Sequence, residues 1–186
     1  MQLYDKKIEA ALTYLTTSDI LHPTGDRSIC YVTYDIEDAM VVYRMIDTDL
    51  IPQAKYHGFI DYRIVSVGQI IQDYVKNHDY RELWVDESQE YKLISSIRNE
   101  IQNDDFIANT LLSIQEEMKA TEHPLLVLKD LELIHPYDKI GRVEQIIYNQ
   151  IEIPILVLYP GSMQGCNART FLNIYPMDGS YRSKNF

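Results

Sequence analysis

Hydrophobic and polar positions alternate between two periods along this chain, and the switches between them mark its elements. Ile8, Ala11, Leu12 and Leu15 recur at helical spacing and predict an opening helix that stops before His22-Pro23-Thr24-Gly25. Ser28 to Tyr34 is rich in β-branched and aromatic residues and predicts a first strand. Asp35 is placed to cap the next helix, with Met40, Val41, Met45 and Ile46 facing inward and Pro52 breaking it. A second strand, Asp61 to Ser66, leads into a helix with a stripe of Val67, Ile70, Ile71, Tyr74 and Val75. From Asp86 to Lys119 the pattern is wholly helical, in two runs divided at Asn103-Asp104-Asp105. Leu125 to Leu128 and Ile155 to Leu158 are unbroken apolar runs, as expected of strands covered on both faces. A helix carrying Ile140, Val143, Ile146 and Ile147 joins them, and Phe171 to Tyr175 alternates as an edge strand.

Strands alternating with crossover helices predict an α/β fold with a mostly parallel central sheet. The whole of 1–186 reads as one such domain, with a helical-pair insertion over 87–120 covering one sheet edge and a tail over 176–186 without a packing pattern, for which Tyr181 and Phe186 are the candidate tethers. In open α/β sheets ligands and partners bind beyond the carboxyl ends of the strands. Pro160 lacks a ladder donor and Gly161 tolerates positive φ, so the strand is expected to end there and its loop to lie on that edge.

The segments at that edge carry a family resemblance. Tyr159-Pro160-Gly161, Gly165, Arg169, Phe171 and Tyr181-Arg182 resemble the closing signature of BrxB, a small component of BREX phage-defence systems. Pro124 to Leu128, Asp130 and Ile134-His135-Pro136 are similar to the preceding strand and loop of that family. The match covers about the last third of the chain. Met163 departs from it where the family tends to carry an aromatic, and so does Gly179-Ser180-Tyr181. The resemblance implies an accessory or scaffold protein acting through protein contacts with a PglZ-type phosphatase-like protein and other BREX components, an ATPase and a DNA methyltransferase among them. Contact with DNA is then expected only within that assembly. The expected partner-binding residues are Asp130, His135, Pro136, Tyr159, Pro160, Gly161, Gly165, Arg169, Tyr181 and Arg182.

Charge narrows the alternatives. With 17 basic against 28 acidic residues the net charge of −11 opposes nonspecific binding to a phosphate backbone. After Gly161, however, the only acid is Asp178, against Arg169, Arg182 and Lys184. A nucleotide- or nucleic-acid-binding module using these cations and the glycine loop, without hydrolysis, is the alternative function. Asp130 at the end of an apolar strand resembles the P-loop ATPase segment whose aspartate holds a magnesium-bound water. Yet no glycine is followed by lysine, so the G-x-x-x-x-G-K-[ST] cradle is missing and the fold would be a degenerate relative.

Catalytic motifs are likewise missing. There is no G-x-S-x-G, H-E-x-x-H or G-x-G-x-x-G, and the cluster Asp130, Glu132, His135 and Asp138 matches no metal spacing. A hydrolase using Asp130 and His135 is a third reading. Cys30 sits in a strand pattern and Cys166 in a loop, without a CxxC or Cys/His grouping. No cofactor, metal or enzymatic activity is expected. Without an apolar run long enough to span a bilayer, or a leader, the chain is expected in the cytoplasm. The fifteen tyrosines suit an interface, and Tyr159, Tyr175 and Tyr181 fall near the Pro-Gly loop.

Overall fold

The computed structural model describes residues 2–17, 29–164, 168–175, 178–179 and 183–186. The architecture is α/β, with a mostly parallel central sheet flanked by helices. Helix α1 (Gln2–Thr17) precedes strand β1 (Ile29–Tyr34). A 3₁₀ turn then leads to α2 (Ala39–Met45), a π-helical segment (Ile46–Leu50) and α3 (Ile51–Tyr56). Strand β2 (Asp61–Ser66) follows, then α4 (Val67–Asn77), α5 (Arg81–Asp86), α6 (Glu90–Asn103) and α7 (Phe106–Met118). Strand β3 (Pro124–Lys129), a 3₁₀ turn (Leu131–Leu133), α8 (Ile140–Ile147) and β4 (Ile155–Gln164) complete the main layer. Three short strands close the chain: β5 (Ala168–Phe171), β6 (Asp178–Gly179) and β7 (Lys184–Asn185).

The strand order is β2-β3-β4-β1-β7, with every neighbouring pair parallel. Side chains of a strand alternate between faces, so the unbroken apolar runs serve two cores at once. Tyr31, Leu126, Leu128, Val157 and Tyr159 join the side covered by α4, α6, α7 and α8. Cys30, Val32, Leu125, Val127, Leu156 and Leu158 join the opposite side with α1, α2 and α3. The helical pair α6–α7 buries Ile97, Ile101, Ile107, Leu111 and Met118 in the first of these cores. Among the described residues no helix is long and apolar enough to cross a membrane.

Several local expectations are corrected. Pro160 does not end its strand, because β4 continues to Gln164 and swings into an antiparallel hairpin with β5. The β3 pairing covers only Ile155 to Val157, so the missing N–H of Pro160 leaves no β3 acceptor wanting. Gly161 makes the bend at φ +149, a conformation open to glycine. Residues Leu172 to Ile174 form a turn, so the expected edge strand ends at Phe171. Pro52 lies in the first turn of α3, where its lacking N–H costs little, instead of breaking the helix. Met40 and Val41 are exposed while Val42 is buried, since the 3₁₀ and π segments flanking α2 alter the helical phase. At the end of the chain β7 pairs with β1, and Phe186 lies against the second core as the expected tether of the tail.

Candidate functional site

The carboxyl edge of the sheet gathers the turn after β1, the turn after β3 and the β4–β5 hairpin. Asp130 leaves β3 in the left-handed region at φ 57, which Asp tolerates better than most residues, and this starts the 3₁₀ turn Leu131–Leu133. Its carboxylate lies 3.1 Å from Lys129 Nζ. Glu132 accepts hydrogen bonds from Tyr43 Oη and, at 3.4 Å, from Tyr34 Oη. Burial and the bond to Glu132 both push the Tyr43 phenol far above its ordinary pKa, so it stays a neutral donor. Beside it Tyr4 Oη donates to Asp38 at 2.7 Å, and burial with that bond raises Tyr4 to about 12.

The third segment is tied to the other two. Tyr175 Oη lies 3.0 Å from His135 Nδ1, their rings 4.1 Å apart. Asn173 Nδ2 donates to Asp35 Oδ1 at 3.2 Å, so Asp35 serves the hairpin and makes no helix cap with its side chain. The loop of Asp130 to Pro136 and the β4–β5 hairpin therefore adjoin. Arg98 Nε donates to Pro136 O at 2.7 Å, fixing the loop from α6. Burial, then the nearby charges of Arg98 and Lys139, lower the His135 pKa, which favours the neutral ring.

Exposure divides the expected partner-binding residues. Asp130, His135 and Pro136 are half-buried, whereas Tyr159, Pro160 and Gly161 are buried. Arg169 is a correction, because at 0% exposure no partner or phosphate reaches it in this conformation. Its guanidinium stacks 3.5 Å from the Tyr31 ring centroid and 5.2 Å from that of Tyr159. Arg169 donates to Asn185 Oδ1 at 3.0 Å, Ser183 Oγ at 3.3 Å and Glu144 Oε2 at 3.4 Å, while Tyr31 Oη donates to the same Glu144 oxygen at 2.7 Å. This is an internal clasp joining β1, α8, β5 and β7. Gly165, Tyr181 and Arg182 lie outside the described residues.

The edge is apolar and acidic in its accessible parts. Ile36 is 38%, Met40 65%, Leu133 55% and Ile174 81% exposed, and Asp35, Glu37 and Asp38 stand among them. Of these four, the sequence pattern places Met40 inward and Ile174 in an edge strand, and it assigns nothing to Ile36 and Leu133.

Chemically the edge is poor in reactive groups. Among the described residues no group of His, Cys, Asp and Glu is arranged to hold a metal ion. Cys30 is buried, and burial pushes its thiol well above its ordinary pKa, away from the nucleophilic thiolate. Asp35, Glu37 and Asp38 follow β1 and would repel a triphosphate. No family model, curated protein or solved structure matches this chain.

Proposed function

We propose that this chain is an accessory protein of a BREX-type anti-phage system, acting as a scaffold that offers the carboxyl edge of its sheet to a protein partner. The observation that carries this reading is the exposed set Ile36, Met40, Leu133 and Ile174 on an edge rich in carboxylates. Apolar side chains concentrated at a site otherwise fit for ligands favour contact over turnover. The BrxB-like segments, Tyr159 to Phe171 and Pro124 to Pro136, flank this edge and supply the system. The partner expected from that resemblance is the PglZ-type phosphatase-like protein, and the edge suits a segment with apolar anchors beside Lys or Arg. DNA would be met only through the assembly.

The P-loop likeness takes a corresponding form. We read the sheet as a relative of that fold without phosphate binding, since the turn after β1 carries Asp35, Glu37 and Asp38 in place of a glycine-rich cradle.

Co-purification from cells carrying the whole gene cluster tests the scaffold reading. The chain is expected to recover a cluster-encoded protein, and Ile36→Asp with Met40→Asp to lose it while folding normally, since both positions are exposed. Recovery of no cluster-encoded protein overturns the reading, as does recovery unchanged in the double variant.

A further inference from the structure

Away from the sheet edge, α5 has an unusual division of labour. Trp84 is its only buried residue; Trp84 Nε1 donates to Ser96 Oγ at 2.9 Å and the indole stacks on His78, centroids 4.5 Å apart. With one residue anchoring a six-residue helix, both flanks face outward: Leu83 is 69% and Val85 74% exposed. Glu82 and Asp86 lie beside them, and with Arg81 at its first position the arm is apolar with an acidic excess of one.

Next to the arm runs a groove of about 630 Å³ between α4, α6 and the turn after β3. Ile71, Val75, Ile97 and Leu133 give it an apolar lining, and its only charged lining residues are Lys76 and Arg81. Leu133 comes close because residue 68 is glycine: a Cβ there would meet Leu133 Cδ1 at 2.3 Å. Neither Lys76 nor Arg81 has an ion-pair partner among the described residues. On a chain of net charge −11 this is a cationic groove on an acidic body.

An acidic apolar projection and a cationic apolar groove lie side by side, since Arg81 belongs to α5 and lines the groove. Two such surfaces related by a two-fold axis complement each other, arm to groove and groove to arm, which is the requirement for a closed isologous contact. We infer that the chain self-associates as a two-fold dimer in which α5 of each copy seats Leu83 in the groove of the other. Glu82 and Asp86 then meet the Lys76 and Arg81 of the opposite copy. The inference uses α4 and α5 and shares only Leu133 with the scaffold reading, so Ile36→Asp with Met40→Asp, which spares the groove, tells the two apart.

Sedimentation equilibrium of the full chain over a wide concentration range tests it. The expected result is a reversible monomer–dimer equilibrium that weakens as salt rises. Leu83→Asp should weaken association by about tenfold or more, as loss of a buried apolar anchor does. Lys76→Glu with Arg81→Glu should also weaken it, and adding Glu82→Lys with Asp86→Lys should restore it, a rescue that general destabilisation cannot produce. A monomer at every concentration overturns the inference. So does a dimer indifferent to Leu83→Asp, or a charge-reversed quadruple variant that fails to recover.

Discussion

Arg169 carries more of the interior than its position in a hairpin suggests. Its charge is compensated by Glu144, by the faces of Tyr31 and Tyr159, and by Asn185 and Ser183. Arg169→Met keeps much of the volume and leaves Glu144 in the core without its cation. Loss of one partner of a buried pair is destabilising by about 3–5 kcal/mol. Urea unfolding should show that loss, and a double variant with Glu144→Gln as well should recover part of it; a fall under about 1 kcal/mol in the single variant would place the pair outside the fold's essentials. His135 gives a second test. Its folded pKa lies below the ordinary 6.5, so the unfolded chain binds more protons as pH falls below that value. Stability therefore declines from about pH 6.5 downward until the folded ring itself protonates. The His135→Asn variant should show a shallower decline than the wild type in urea midpoints measured across that window, and parallel slopes would refute the assignment.

Gly161 controls how β4 passes from the parallel sheet to the hairpin. A Cβ added there would sit 1.9 Å from Thr170 O, at a φ of +149 that side chains rarely adopt. The Gly161→Ala variant is expected to lose about 1–3 kcal/mol. Protection of the Thr170 and Leu172 amides from hydrogen exchange should drop with it, because Leu172 N donates to Pro160 O across this bend. Unchanged protection would mean that the hairpin holds without this bend.

The same elements explain how much could be read from the chain. β2, β3 and the α6–α7 pair stand where the pattern predicts them, because unbroken apolar runs and long helical stripes each have one good packing solution. The continuation through Pro160 was illegible, since it depends on where β3 pairing stops, a tertiary fact. Met40 and Val41 were misplaced by a phase change that no single-period template contains. Two buried charges left readable signs that went unused. Arg169 shares its strand face with Phe171 at spacing two, and Glu144 lies on the buried face of α8 with Ile140 and Ile147.

At the scale of the whole molecule, helices cover both faces of the sheet and leave two accessible surfaces of opposite character. The carboxyl edge is acidic around Ile36, Met40 and Ile174, and the groove by α5 is cationic. A chain of net charge −11 that keeps Lys76 and Arg81 together at one groove sorts its contacts by sign, so neither surface suits the other's occupant. The candidate edge was legible from topology alone, as the carboxyl end of parallel strands. Which side chains it presents was not, because exposure depends on packing that a linear pattern does not record. One feature of α5 makes these contacts observable without a label. Trp84 is the sole indole of the chain and rests against Ser96 and His78. Its fluorescence is thus an intrinsic gauge of whether α5 is seated on α6, and binding over that helix registers in the colour and intensity of the emitted light.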